Sequence, residues 1–351
     1  MNYMYVLGIE TSCDETAAAV IRLDKKSKRL LVLSSIVASQ IDIHKKYGGV
    51  IPEVAAREHA VHILSVIDQA IEEAKINSKK IDYIAVTKGP GLITSLMSGL
   101  ETARTLSYAW NIPAIEVNHI EGHIYANFIN LNREIKFPAI ILTVSGGHTN
   151  LVLMKKNHKL TIIGETLDDA AGEAYDKAAK MMGLGYPGGP IISEMAEKFN
   201  EKAQIRKNDT VIKLPRPMIN DNSFNFSFSG LKTALLYTLQ KDKNWKKRIP
   251  EYCYYYQEAI IDVLIKKTMK AAIKYQAKSV MLSGGVSANK ELRLRLKKAA
   301  EKEIPSVDLF IPNLAYTTDN AAMIAAAGVF KALKNKTKNY SKLRTDPNLK
   351  L

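Results

Sequence analysis

Two stretches of this chain repeat one another. Val6 to Ile21 reads as strand, polar turn, strand, and the pattern returns from Ala139 to Met154 without a gap, offset by 133 residues, so that Thr16 matches Thr149. A hairpin with one apolar face cannot bury that face alone, so a duplicated hairpin predicts two lobes of one design with a cleft between them. The alternative is two unrelated hairpins. In the first copy Tyr5–Glu10 and Ala17–Leu23 are the strands, and Thr11, Ser12, Cys13, Asp14, Glu15 and Thr16 form the tip. In the second the tip is Ser145, Gly146, Gly147, His148 and Thr149. Hydroxyls, carboxylates and glycine amides gathered in a tight turn can hold phosphate oxygens or a metal.

The segments around the hairpins alternate strand and helix. A loop over residues 41–53 leads into an amphipathic helix from about Glu53 to Glu73, with Val54, Val61, Ile63, Leu64, Ile67 and Ile71 as its apolar residues. A buried strand from Ile81 to Thr87 ends in Lys88-Gly89-Pro90-Gly91, followed by a helix from about Leu92 to Trp110 and a strand from Ala114 to Val117. Ser279–Leu282 is a strand meeting Gly284-Gly285, a junction that brings backbone close to a nucleotide, with Asn289 placed to hydrogen-bond a base or ribose. An alanine-rich helix runs from Ala321 to Leu333. This alternation predicts an α/β chain with largely parallel sheets. The Gly230–Thr233 stretch ends in Lys-Thr but lacks the leading glycine of a P-loop, and its glycine and lysine are not adjacent.

With 351 residues and 46% hydrophobic content, the chain is long enough for two domains. No apolar run reaches the 18 or so residues of a membrane span, and the N-terminus enters a strand without a basic leader, so a soluble, cytoplasmic protein is expected. Two cysteines, Cys13 and Cys253, make neither a disulfide framework nor a thiolate metal site. The net charge of +15 gathers at Lys25–Arg29, at Lys241–Arg248 and along Lys331–Lys350. Clusters of this kind suit an anionic macromolecule, RNA before membrane, although solvated lysine-rich faces would give the same counts.

His119 and His123 lie one helical turn apart, so both imidazoles can reach a single ion. Glu121 falls between them on another face, and the glutamate that follows the first histidine in zincin proteases is replaced by Ile120. Asp319 stands where a helix N-cap would, and its other use is as an oxygen donor beside two imidazoles. Asp176 lies later in its helix, where a dipole role is weaker.

Taken in order, Ile9–Thr16, Gly48–Glu53, the His119/His123 pair, Ser145–Thr149, Asp168–Ala174, Tyr186–Pro190, Phe228–Thr233 and Gly284–Asn289 closely resemble the bacterial and organellar tRNA threonylcarbamoyladenosine transferases, also called O-sialoglycoprotein endopeptidases. The match runs from Tyr5 to about Phe330. The resemblance implies an actin/hexokinase/Hsp70-like (ASKHA) fold of two ribonuclease-H-like lobes around a nucleotide cleft. The corresponding division is 1–133, 134–325, and a C-terminal helix and basic tail over 326–351 returning to the first lobe. It implies one metal ion held by His119, His123 and Asp319, Fe(II) first, with Zn or Mg as the other choices; imidazole and carboxylate donors suit iron or zinc better than magnesium. It further implies that Thr143, Val144, Ser145, Gly146, Gly147, Asp176, Gly189 and Asn289 bind threonylcarbamoyl-AMP. Relatives often carry an acid a few residues after Tyr186–Pro190, where this chain has Ser193 followed by Glu194.

The reaction expected is transfer of threonylcarbamoyl to the exocyclic amine of adenosine 37 of tRNA, with AMP leaving. Asp14 or Glu15 is the candidate general base, Gly146 and Gly147 amides would hold the phosphate or oxyanion, and Ser12 and His148 are further phosphate contacts. The partners implied are tRNA, an inactive paralogue, a P-loop ATPase subunit and a separate threonylcarbamoyl-AMP synthase. A eukaryotic source would place the protein in mitochondria or plastids. A metallo-endopeptidase and a small-molecule kinase of the same fold are the alternative readings.

Overall fold

The computed structural model describes residues 2–202 and 212–351. The chain divides into two compact units: one takes it up to Glu134 and again from Pro312 to Leu351, and the other is Ile135–Ile311. The return to the first unit therefore comes at Pro312 and not at residue 326, because the last strand of the second unit ends at Phe310. Asp319 consequently belongs to the same unit as the histidines.

In the first unit β1 (Tyr3–Glu10), β2 (Glu15–Asp24) and β3 (Leu30–Ser39) form an antiparallel meander. The helices α1 (Ile41–Lys45), α2 (Pro52–Glu73) and α3 (Ile93–Trp110) alternate with β4 (Tyr83–Gly89) and β5 (Ala114–Asn118), which join β1 in parallel to give the order β3-β2-β1-β4-β5. Parallel neighbours need such helical crossovers. The pleat divides β1 between two faces. Leu7 and Ile9 pack with Ile63, Val66 and Ile67 of α2, whereas Val6, Gly8 and Glu10 point the other way.

That second face of β1 is closed by α10 (Ala321–Ala332), whose residues from Ala321 to Val329 are all fully buried. The approach is tight because the facing residues are small. A Cβ on Gly8 would lie 2.2 Å from the Ala321 carbonyl oxygen, and one on Gly328 would lie 2.5 Å from the Ala85 Cβ. A short helix, α4 (His119–Tyr125), completes the unit directly after β5.

The second unit repeats the plan. β6 (Ala139–Val144), β7 (Thr149–Met154) and β8 (Leu160–Glu165) form the meander, and β9 (Ser279–Ser283) and β10 (Asp308–Phe310) add in parallel, in the order β10-β9-β6-β7-β8. The helices are α5 (Ala171–Met181), α6 (Gly188–Lys202), α7 (Ser229–Lys241), α8 (Ile249–Lys274) and α9 (Lys290–Glu303). The hairpins superpose in register as well as in sequence: Ile9 pairs with Ala18 as Leu142 pairs with Leu151, and Val6 pairs with Ile21 as Ala139 pairs with Met154.

Three expectations need correction. The loop expected over 41–53 contains α1, where buried His44 binds the Gln40 side chain and accepts from the Ile51 amide. The α2 stripe is narrower than its apolar residues suggest, since Val61 and Leu64 are 70% and 65% exposed. The N-cap of α10 is Asn320, whose side chain accepts from the Met323 amide, so Asp319 is spared that duty.

Candidate functional site

β5 ends at Asn118, whose side-chain oxygen accepts from the amides of Ile120 and Glu121 and so starts α4. His119 and His123 follow on one face of that helix, their rings 4.7 Å apart and edge to face. Asp319, just before the cap of α10, brings Oδ1 to 3.5 Å from His119 Nε2 and 3.2 Å from His123 Nε2. Glu121 turns away to pair with Lys331 at 2.5 Å.

Both imidazoles are buried, and neither ring nitrogen of His123 has a hydrogen-bond partner. Buried polar atoms are almost always paired, so this orphaned ring marks a place for something else. One donor atom from each of His119, His123 and Asp319 lies within 4.8 Å of the others. Donors that share one transition-metal ion at about 2 Å each lie no more than about 4 Å apart, so these side chains would have to close by up to about 1 Å around it. Two imidazoles and one carboxylate fit iron or zinc; magnesium prefers an all-oxygen set.

Behind His119 stands a residue that the sequence reading passed over. Glu10, at the end of β1, is fully buried. Its Oε1 accepts from the Ser12 amide at 2.6 Å, and its Oε2 accepts from the Thr87 hydroxyl at 2.6 Å and faces His119 Nδ1 at 3.1 Å. Burial pushes the Glu10 carboxyl upward, but the charge and hydrogen bond of His119 outweigh it and leave Glu10 below its ordinary range. Burial likewise disfavours the His119 cation, yet the Asp319 and Glu10 carboxylates raise its pKa to about 9. Burial pulls His123 the other way, below its ordinary value. One signal could have found Glu10: a carboxylate closing an otherwise apolar buried strand demands a partner.

The hairpin tip is fixed from two sides. Ser12 directs its hydroxyl at His119 Nδ1, 3.1 Å away. His59 of α2, kept neutral by burial, donates from Nε2 to the Cys13 carbonyl at 3.0 Å and accepts the Thr16 hydroxyl at Nδ1, 2.8 Å away. Asp14 is buried. Glu15 opens β2, and burial together with the charges of Asp319 and Asp14 drives its pKa well above that of an ordinary glutamate.

In the second unit Thr143 to Gly147 run off the carboxyl end of β6 and Asn289 follows β9, the ends at which open α/β sheets bind ligands, whereas Asp176 lies on α5 and Gly189 at the start of α6. The Ser145–His148 turn is closed by a bond from the Ser145 amide to the His148 carbonyl, 2.8 Å, and Gly146 and Gly147 are exposed with open space around them. Gly172 lets the start of α5 press on this turn: a Cβ there would meet the Ser145 carbonyl at 2.5 Å. Gly284, at a φ of 86°, packs against Val144.

The side chains of this group are occupied. Thr143 and Val144 are buried, and the Thr143 hydroxyl meets that of Ser283 at 2.9 Å. Asp176 accepts from the Gly188 amide at 2.7 Å, and its pKa is raised because burial outweighs that bond and the one from Gly189. Asn289 caps α9 through the Leu292 amide and donates to Gln257 at 2.7 Å and Ser193 at 3.3 Å. Glu194 pairs with Lys198 on its own helix. Asp168 is spent on the start of α7, accepting from Ser227, Phe228 and Ser229.

Two of the basic clusters are partly committed as well. Arg248 pairs with Asp242 and Glu251, whereas Lys246 and Lys247 are exposed. Lys331 and Lys338 pair with Glu121 and Glu116. Among the described residues no helix is long and apolar enough to cross a membrane.

A family model described as tRNA N6-adenosine threonylcarbamoyltransferase matches residues 31–326. A Bacillus subtilis protein of that name is 52% identical over 93% of this chain and 90% of its own length. Those of Geobacillus thermodenitrificans and Thermosipho africanus are 47% and 46% identical over 99% of this chain, covering 97% and 100% of their own lengths. Among solved structures, T. kodakarensis HypF is similar over 96% of this chain with a TM-score of 0.62 at 13% identity, which bears on the fold alone. This chain spans 49% of that HypF chain.

Proposed function

The chain belongs to the tRNA N6-adenosine threonylcarbamoyltransferase family, and on that premise we propose how its residues divide the work of the transfer. The protein is a transferase that forms threonylcarbamoyladenosine in tRNA. The endopeptidase and kinase readings have no support. In this reading the donor is threonylcarbamoyl-AMP and the acceptor is adenosine 37. Its N6 attacks the carbamoyl carbon, the bond from that carbon to the phosphate oxygen breaks, AMP leaves with the electron pair, and the N6 proton passes to a base.

The convergence of His119, His123 and Asp319 carries the site assignment. Bound there, an Fe(II) or Zn ion would supply a Lewis acid and a template for anionic oxygens. The Gly146 and Gly147 amides hold the phosphate or the oxygen of the carbamoyl group as charge develops, helped by the lack of side chains around them. Asp176, Gly189 and Asn289 act by holding their turns open for the adenylate. Glu15 is favoured over Asp14 as the base, because burial and the charges of Asp319 and Asp14 raise its pKa and make its carboxylate a stronger proton acceptor. Ser12 and His148 remain the phosphate contacts of the first and second tips.

Exposed Lys246 and Lys247, with the lysines of the tail, support phosphate contacts to tRNA. Exposed Val61 and Leu64 on α2 are surface of the kind a protein partner covers, in keeping with the inactive paralogue, the P-loop ATPase subunit and the adenylate synthase implied by the family. The compartment would be the cytoplasm, as bacterial relatives suggest. The test is nucleoside mass spectrometry of tRNA from cells depleted of the protein and then supplied with wild type or His119→Ala. Modified adenosine restored by the wild type alone is the expected result, and restoration by metal-free His119→Ala would remove the ion from the mechanism.

A further inference from the structure

We infer that Glu10 is the residue that sets which nitrogen of His119 faces the ion; this rests on the metal-site reading above. Both imidazoles present Nε2 to Asp319 Oδ1, so ligation through Nε2 requires the ring proton on Nδ1. Two groups touch His119 Nδ1, each at 3.1 Å: the Ser12 hydroxyl and Glu10 Oε2. A hydroxyl satisfies either tautomer, since it accepts from Nδ1–H or donates to a bare Nδ1. A carboxylate only accepts. Of the two neighbours, Glu10 alone can discriminate, and it favours the tautomer whose Nε2 lone pair is free. Metal-bound histidines are commonly oriented by such a second partner. The His123 ring has no equivalent, so the ordering of the pair rests on His119.

The carboxylate is not needed by the frame itself. In the repeated hairpin its position is held by Thr143, bonded to Ser283 of β9 as Glu10 is bonded to Thr87 of β4. One copy bridges two strands with a pair of hydroxyls. The other uses an acid long enough to bridge the strands and still reach an imidazole.

Glu10→Gln separates these roles with no change of shape. With the amide nitrogen on the Oε1 side, a donor would face the Ser12 N–H across the present 2.6 Å contact. On the Oε2 side, the Thr87 hydroxyl can rotate to accept, but the amide would donate to Nδ1 and drive the His119 proton to Nε2. The first arrangement keeps an acceptor on Nδ1 but sets two donors against each other at Ser12; the second avoids that clash, is therefore favoured, and works against ligation.

Zn(II) affinity of the purified full chain, by competition with a chelating dye, should fall by the ten- to hundredfold typical of lost second partners in Glu10→Gln and by less than threefold in Ser12→Ala. A loss smaller than tenfold in Glu10→Gln, or a larger loss in Ser12→Ala, would overturn the assignment. Should Glu10→Gln not fold, wild type loaded with ¹¹³Cd and ¹⁵N-labelled at histidine decides. Cadmium coupling to His119 Nε2 with a proton on Nδ1 supports the role, and coupling to Nδ1 refutes it. Wild type that takes up neither ion would instead fail the metal-site reading itself.

Discussion

Gly8→Ala tests how α10 sets the metal centre. The added methyl would sit 2.2 Å from the Ala321 carbonyl oxygen and 2.9 Å from the Ala325 amide nitrogen and Cβ. Ordinary contact begins near 3.4 Å, so helix and strand must part by about 1 Å. Overpacking of this kind costs about 1–3 kcal/mol, or some 1–4 °C in melting temperature for a protein of this size. The damage is directional. Asp319 lies two residues before Ala321 and would move with the start of the helix. Glu10, two residues after Gly8, keeps its hold on His119. The present 3.2–3.5 Å separations between Asp319 and the imidazoles would open by a comparable distance, and metal affinity should fall at least tenfold. Gly328→Ala is the control. It produces a similar overlap, 2.5 Å from the Ala85 Cβ, but seven residues along the helix, or about 10 Å from Ala321. It should cost similar stability and leave metal affinity within about threefold. The readouts are thermal unfolding of the metal-free proteins and Zn(II) titration. Equal losses of affinity in both variants, or unchanged melting of Gly8→Ala, would refute the idea that this seam positions Asp319.

Other outcomes follow from the same geometry. His119→Ala or Asp319→Ala should keep the fold and lose both metal and transfer; metal analysis and tRNA modification on the same preparations check this. His119, raised to about 9 in the metal-free protein, contributes stability that is present below pH 6.5 and lost as the pH rises through about 9. Metal-free protein should therefore lose on the order of 2–3 kcal/mol across that window by denaturant unfolding, and a flat profile would contradict the pairing with Glu10 and Asp319. Lys246→Glu with Lys247→Glu should weaken tRNA binding and flatten its dependence on salt by nearly one unit of slope per lost phosphate contact, with no change in unfolding. Arg248→Glu should itself destabilise the protein, because Asp242 and Glu251 would lose their partner; calorimetric melts separate the two cases.

The fold was legible where the pattern is local. The repeat showed in two apolar runs and two polar tips of equal length, and the paired strands keep that 133-residue offset in register. The His119/His123 spacing was legible for the same reason. Glu10 was not, because its role depends on a contact with a residue 109 positions away. Asp319 was at risk of being read as a cap until the structure gave that task to Asn320, its neighbour. The strand Leu30–Ser39 escaped notice because Ser34, Ser35 and partial exposure on both faces blur its alternation. Asp176 and Asn289 were singled out by the family resemblance alone; their side chains hold turns and helices together, and no motif says how a polar side chain divides its bonds.

The alanine-lined seam between α10 and β1 also bears on motion. Alanine and glycine have no rotamers to exchange, so the backbone leading to Asp319 rests on a surface that cannot rearrange by side-chain hopping. A leucine-packed helix samples small shifts as its neighbours change wells. Here the helix is held backbone to backbone, and the carboxylate inherits that stillness. The scatter in its position should therefore stay small on warming, until the helix leaves the sheet as one piece.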